Sequence, residues 1–126
     1  PILYLKGNPK YIQFPQIAVV GTRRPSLLGK EIAFQFACEL AKSGLLITSG
    51  LAEGIDAEAH YGALHANSPT IAVLGSGLDN IYPKKNQSLA EKISLSGLLV
   101  SEFSPNTPPL AANFPKRNRI ISGLSC

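Results

Sequence analysis

The sequence has few cysteines, few charged residues and no long apolar run, and each shortage excludes a class of protein. Its two cysteines, Cys38 and Cys126, cannot form a disulfide framework or a zinc-binding motif. No apolar stretch is long enough to cross a membrane, and no signal-peptide pattern is present. Charged residues make up 16% of the chain and hydrophobic residues 44%, which is typical of soluble globular proteins and not of disordered ones. We therefore expect a cytoplasmic protein.

The length of 126 residues suits one domain with a hydrophobic core, so we expect residues 1–126 to form a single domain. The chain begins at Pro1, without a methionine, and ends at Cys126 directly after an apolar segment. From this we expect a fragment of a longer protein. Cys38 lies inside a helical pattern, where a cysteine usually behaves as a small buried hydrophobe.

Short apolar runs alternate with helical patterns along the chain. The predicted strands are residues 17–20, 45–48, 70–74 and 98–101, with a short strand near residues 2–5, and the predicted helices are residues 28–43, 55–66, 87–96 and 116–124. Apolar runs without polar alternation favour strands that are buried on both faces, and such strands belong to parallel sheets. The alternation of elements therefore predicts an α/β fold with a parallel sheet and right-handed crossovers.

Three of the predicted strands end in glycine turns, at Gly21, Gly50 and Gly75. The carboxyl ends of such strands are where α/β folds bind ligands. Gly21 allows the backbone to approach a phosphate closely, Thr22 offers a hydroxyl, and Arg23 can bind two phosphate oxygens. The first turn matches neither G-x-G-x-x-G nor a Walker A loop, which disfavours a dinucleotide ligand. An ordinary strand–helix turn explains the same residues, and the sequence leaves both interpretations open.

Basic residues also cluster after the predicted strands. Seven of the 12 lysines and arginines fall in three segments, and these are Arg23, Arg24, Lys84, Lys85, Lys116, Arg117 and Arg119. Such clustering at one edge of a sheet is expected of a nucleic-acid or phosphate site, although solvated loop charges would give the same pattern. Beside the last cluster, Phe114 either stacks on a base or anchors the core, and the sequence does not decide between these roles.

Catalytic interpretations find less support in the sequence. Ser49, Asp56 and His60 are the residue types of a hydrolase triad, but the chain has no G-x-S-x-G elbow. A packing role, or an ion pair on one helix face, is therefore favoured for Asp56 and His60, which are four residues apart. The two histidines and the scattered carboxylates show no metal-ligand spacing, so we expect no metal site.

Four segments carry a family resemblance. They are VGTRRPS at residues 20–26, TSGLAEGID at 48–56, TIAVLGSGLD at 70–79 and FPKRNRIISGLS at 114–125, with shorter matches at Ala59-His60, Tyr82-Pro83, Asn86, Gly97 and Ser101-Glu102. In this order, and over nearly the whole chain, they resemble the DNA-processing protein A family, also called DprA or Smf. The resemblance implies a Rossmann-like, three-layer α/β domain with a mostly parallel sheet that binds single-stranded DNA.

The resemblance also implies a biological role. It implies that the protein protects incoming single strands in natural transformation and helps to load the RecA recombinase onto them, without catalytic activity, a cofactor or a membrane. The family's domain continues with further strands, so we expect a sheet that is truncated at its C-terminal side. We expect a homodimer in the full-length protein, formed partly by the missing region.

The candidate site residues follow from the same resemblance. The family's DNA pocket uses the first glycine turn and the basic segment after the proline-rich loop, and the second glycine turn is a further predicted contact. The predicted DNA-binding residues are Gly21, Thr22, Arg23, Arg24, Ser49, Gly50, Phe114, Lys116, Arg117 and Arg119.

Two alternatives remain at this point. The first is an enzyme of the lysine-decarboxylase-like group, which cleaves nucleotide phosphates on a similar scaffold, although its Pro-Gly-Gly-x-Gly-Thr motif is absent here. The second is an interaction module that binds a recombinase and not DNA.

Overall fold

A computed structural model describes residues 2–125, so Pro1 and Cys126 lie outside the described residues. Within this range, the strands are β1 (Tyr4–Gly7), β2 (Gln16–Ala18), β3 (Leu46–Ser49), β4 (Thr70–Val73) and β5 (Leu98–Ser101). The α-helices are α1 (Leu27–Lys42), α2 (Ile55–His65), α3 (Gln87–Ser96) and α4 (Asn113–Leu124), and short 3-10 helices span Pro9–Gln13 and Lys84–Asn86.

The five strands form one sheet in the order β1-β5-β4-β3-β2. Strands β2 to β5 are parallel to their neighbours, and β1 pairs antiparallel with β5 at the edge. The predicted α/β class and the mostly parallel sheet are confirmed. Each parallel pair is joined through a helix, as parallel strands require.

Helices cover both faces of the sheet, which confirms the three-layer prediction. Neighbouring residues of β4 show the division, because successive strand side chains point to opposite faces. Ile71 and Val73 pack in one cluster with Ile121 of α4, whereas Ala72 packs with Ile93 of α3. Helices α1 and α2 lie on the same face as α3, where their alanines pack against β3.

The apolar residues of α1 divide into a buried and an exposed set. Ala33, Ala37 and Cys38 are buried, and the burial of Cys38 was expected from the helical pattern. Ile32 and Phe36 have the same helical spacing but are more than half exposed. The small residues of α1 face α2 and allow the two helices to approach closely. The larger side chains of Ile32 and Phe36 lie on the outer side of α1.

Most element boundaries differ from the predictions by one to three residues, and the starts of β2 and α4 show why. Strand β2 begins at Gln16, one residue before the predicted run, because its side-chain amide is buried and bonded. The Gln16 Nε2 donates to the carbonyl of Ile12, and its Oε1 accepts the Thr48 hydroxyl. Helix α4 begins at Asn113, three residues before the predicted start, and this places Phe114 in its first turn.

Candidate functional site

A cleft of about 170 Å³ lies at the carboxyl edge of the sheet. It is bordered by the turns after β2 and β3, the loop before α3, and the first turns of α4. Its lining residues are Arg23, Arg24, Gly50, Ala52, Glu53, Tyr82, Pro83, Phe114 and Arg117. The cleft therefore combines cationic and aromatic side chains from segments that are distant in the sequence.

Phe114 forms one wall of the cleft and is flanked by two arginines. The guanidinium carbons of Arg23 and Arg117 lie 5.5 and 5.4 Å from its ring centroid, within the range of cation–π attraction. The Tyr82 ring lies 5.9 Å away, tilted by 54°. Gly75 supports the ring from beneath, because a Cβ at this position would lie only 2.6 Å from Phe114 Cδ1. Phe114 is thus packed on the third glycine turn and also lines the cleft.

Arg117 is buried, with 5% of its surface exposed. Its Nη1 donates to the carbonyls of Gly50 at 2.6 Å and Val73 at 3.1 Å, and its Nε donates to Asn118 Oδ1 at 2.8 Å. Burial lowers the pKa of the guanidinium, and the negative charge of Asp56 opposes this shift. Three of the five guanidinium N–H donors are therefore directed to groups of the protein itself.

Asp56, at the start of α2, is also buried. Its Oδ2 accepts the Gly50 N–H at 3.0 Å, and its Oδ1 accepts the Gly21 N–H at 3.4 Å. Burial raises the pKa of this carboxyl group, whereas Arg117 and the backbone N–H donors lower it. The carboxylate therefore joins two of the three glycine turns.

The three residues of the conceivable triad do not bond to one another. The Ser49 hydroxyl donates to the Val19 carbonyl, and the Asp56 carboxylate accepts the backbone N–H groups described above. His60 is fully buried, and its Nδ1 lies 2.8 Å from Thr70 Oγ1. Because the Thr70 hydroxyl donates to a backbone carbonyl, Nδ1 must be the donor, and Nε2 is buried without a partner. His60 therefore has the packing role that the sequence favoured.

The structure brings half of the predicted site residues together. Those that line the cleft are Arg23, Arg24, Gly50, Phe114 and Arg117. Those outside its lining are Gly21, Thr22, Ser49, Lys116 and Arg119. Lys116 and Arg119 are exposed on α4, and Ser49 is buried. The Thr22 hydroxyl accepts the Arg24 N–H at 3.1 Å, which shapes the first turn.

Several cleft residues were not among the predicted site residues. Tyr82 and Pro83 follow the third glycine turn, and their position in the family-like motif is the one signal that could have indicated them. Glu53 places a carboxylate at the cleft, and its Oε2 lies 3.3 Å from Lys85 Nζ. Lys85, one of the clustered cations that the sequence places at this edge of the sheet, is therefore engaged in an ion pair.

Other kinds of site are less well supported by the described part of the chain. Within residues 2–125, no group of three or more His, Cys, Asp or Glu side chains is arranged to hold a metal ion. No helix in the same range has the length and apolar character needed to span a membrane.

Comparisons with known proteins identify the family of this chain. The family model described as DNA recombination-mediator protein A matches residues 1–126. The chain belongs to this family. Among curated members, it is 49% identical to Protein Smf of Escherichia coli, over 98% of this chain and 33% of that protein. It is 45% identical to the DNA processing protein DprA of Streptococcus pneumoniae, over 98% of this chain and 43% of that protein.

Solved structures of the recombination-mediator family have the same fold. DNA processing protein A of S. pneumoniae superposes with a TM-score of 0.92 at 45% identity, over 98% of this chain and 43% of that chain. DNA processing protein A of Helicobacter pylori, whose structure describes a unique single-stranded DNA binding mode, superposes with a TM-score of 0.90 at 38% identity, over 98% and 56%. The chain thus spans less than half the length of the two curated relatives it matches here.

Proposed function

We propose that this chain binds single-stranded DNA in the cleft at the carboxyl edge of its sheet. The observation that carries the proposal is the placement of the Arg23 guanidinium over the Phe114 ring, at the mouth of a cleft that also contains Tyr82. Proteins that bind single strands combine cationic groups for the backbone with aromatic faces for the bases. The relative from H. pylori, described as binding single-stranded DNA, supports the same ligand.

The phosphate backbone is bound by the exposed cations around the cleft. Arg23 and Arg24 lie at its lining, and Lys116 and Arg119 extend the positive surface along α4. The exposed turn at Gly21 and Thr22 lets the same strand approach closely, and the Thr22 hydroxyl can donate to a phosphate. The net charge of +4 favours a polyanionic ligand.

A base stacks on the aromatic wall formed by Phe114 and Tyr82. The Phe114 ring is fixed by its contact with Gly75, so it offers a rigid face at little entropic cost. Stacking on aromatic rings tolerates any base, because every base has a π-face. We therefore expect the cleft to bind single strands with little preference for base sequence.

In this proposal the chain is one Rossmann-like domain of a longer cytoplasmic protein that acts without catalysis or a cofactor. The longer protein protects incoming single strands in natural transformation, loads the RecA recombinase and forms a homodimer. These roles rest on family membership and concern the whole protein.

A salt-dependent binding experiment tests the proposal. The affinities of a labelled single-stranded oligonucleotide, the corresponding duplex and a mononucleotide are compared at several salt concentrations. We expect the single strand to bind most tightly, and Arg23→Ala to weaken binding and reduce the slope of log K against log[salt] by about 0.7, the value for one phosphate contact on a single strand. Unchanged affinity and slope in Arg23→Ala would contradict the proposal. Tighter binding of the mononucleotide, with turnover, would favour the nucleotide-cleaving alternative.

A further inference from the structure

The backbone N–H and carbonyl of Gly50 are hydrogen-bonded to two side chains of opposite charge. The Asp56 carboxylate accepts its N–H at 3.0 Å, and the Arg117 guanidinium donates to its carbonyl at 2.6 Å. Each charged group also reaches a second strand end. Asp56 accepts the N–H of Gly21 after β2, and Arg117 donates to the carbonyl of Val73 in β4. The two side chains therefore connect the carboxyl ends of three adjacent strands.

These bonds explain why both charges can be buried. Asp56 is 3% exposed and Arg117 is 5% exposed. A buried charge is costly unless it is compensated by an opposite charge and by hydrogen bonds. Here Asp56 and Arg117 attract each other, and each forms a hydrogen bond to the backbone of Gly50. A Cβ at Gly50 would lie 2.6 Å from Arg117 Cζ and 2.8 Å from Asp56 Oδ2, so the two groups close around this residue. Such an arrangement fixes geometry and leaves little freedom for either side chain to follow a ligand.

The same pair fixes the aromatic wall. Arg117 lies three residues after Phe114 in α4, and its guanidinium carbon is 5.4 Å from the ring centroid. Because Arg117 is bonded to Gly50, directly after β3, and to Val73 at the end of β4, the first turn of α4 is held against the sheet edge. The Phe114 ring is thereby held over Gly75, where it lines the cleft.

We propose that Asp56 and Arg117 are positioning residues of the DNA cleft, and that neither contacts a phosphate. They hold the first two glycine turns and the Phe114 ring in the geometry that binds a single strand. This inference rests on the proposed function. It assigns Arg117 a role different from the phosphate contact that the family resemblance implied, and it adds Asp56 to the site.

A positioning role for Asp56 and a simple charge effect predict opposite changes in DNA affinity when its carboxylate is removed. Removing a carboxylate beside a site for a polyanion should strengthen binding if only charge matters. Replacing the Asp56 carboxylate with an amide should weaken binding if it positions the cleft, because the Gly21 and Gly50 N–H groups then lose one of their two acceptor oxygens. Glu53 is the matched control, since its carboxylate belongs to the same cleft but pairs with the exposed Lys85.

The experiment measures binding of a labelled oligothymidylate to the full chain as a function of salt. Circular dichroism verifies that each variant is folded. We expect Asp56→Asn to bind roughly tenfold more weakly with an unchanged salt slope, and Glu53→Gln to bind more tightly. We expect Arg117→Gln to lose affinity by a similar factor without a change of slope, whereas Arg23→Gln reduces the slope by about 0.7. A folded Asp56→Asn variant that binds as tightly as the wild type, or a reduced slope in Arg117→Gln, would overturn the proposal.

If Arg117→Gln does not fold, the variant Arg117→Lys distinguishes a positioning role from a phosphate contact. Lysine keeps the charge but lacks the planar fork that reaches two carbonyls at once. A positioning role predicts that Arg117→Lys still loses affinity, whereas a phosphate contact would tolerate lysine, so wild-type affinity in this variant would also overturn the proposal. Failure of the proposed function itself is distinguishable, because then the wild type would not bind the oligothymidylate or Arg23→Gln would change nothing.

Discussion

The guanidinium of Arg23 lies over the ring of Phe114, with 5.5 Å between the guanidinium carbon and the ring centroid. Arg23 follows β2 and Phe114 lies in the first turn of α4, so the fold brings these distant residues together. A nucleotide places a phosphate close to a flat base, and this pair offers one binding group for each. The two groups can therefore be tested separately, one by salt dependence and the other by loss of stacking.

Replacing Phe114 with leucine should weaken single-strand binding by about 1–3 kcal/mol, because base–aromatic stacking is lost while most of the packing volume is kept. The salt slope should stay unchanged, since no cation is removed. Fluorescence anisotropy with a labelled oligonucleotide measures both quantities. Phe36→Leu is the matched control, because Phe36 is 54% exposed on α1 and lies outside the cleft lining. Equal losses in the two variants would argue against stacking on Phe114.

A methyl group added at Gly75 should act on binding through Phe114. The Cβ of Gly75→Ala would lie 2.6 Å from Phe114 Cδ1, so the ring must move out of its position. We expect weaker DNA binding and a lower melting temperature. Gly123→Ala is the control, because a Cβ there meets nothing within 4 Å. Since alanine is favoured over glycine in a helix by about 1 kcal/mol, that variant should be slightly more stable and should bind normally.

Neutralising Glu53 should release Lys85 to the DNA. The two side chains are 3.3 Å apart and both are partly exposed, so their attraction is weak and a phosphate competes with it. We expect Glu53→Gln to bind more tightly at low salt and to show a steeper salt slope. The gain should disappear in the double variant Glu53→Gln, Lys85→Gln. A gain that persists there would show that Lys85 is not the group released.

The stability of the protein should fall on acidification because of His60. Burial, assisted by the positive charge of Arg117, lowers the pKa of His60 to about 3 from its ordinary value of 6.5. Between these values the unfolded chain binds a proton that the folded chain does not, so the free energy of unfolding decreases as the pH falls from 6.5 towards 3. Urea unfolding at a series of pH values measures this decrease.

The control for that experiment is His60→Asn. The asparagine amide can still donate to Thr70 Oγ1, but it does not titrate. The variant should therefore show a smaller loss of stability over the same pH range. Parallel curves for the two proteins would rule out His60 as the cause.

Much of the fold could be predicted because the central strands are continuous apolar runs and the helices have helical spacing. Strand β5 and helix α3 have their predicted bounds. The start of β2 could not be predicted, because Gln16 is polar and its buried amide is compensated by partners that only the fold supplies. The exposure of Phe36 could not be predicted either, because its helical spacing does not show which side of α1 faces α2.

The candidate site was predicted in part. The resemblance indicated Arg23 and Phe114, and the structure places both at the cleft. It could not show that Arg117 is buried, because in the sequence this residue is one cation among three near neighbours. Nor could it show that Asp56 bonds to the first two glycine turns, since those contacts depend on how strands β2 and β3 end side by side.

The position of α4 has a consequence for the folding of the chain. Arg117 joins α4 to Gly50 and Val73, which precede it by 67 and 44 residues. Contacts over such separations form slowly, because the loop-closure entropy must be overcome before the contact contributes. Strands and helices earlier in the chain can therefore assemble while the cleft still lacks its aromatic wall. DNA binding should be the last property to appear on refolding, after most of the secondary structure, and its delay reports the docking of this final helix.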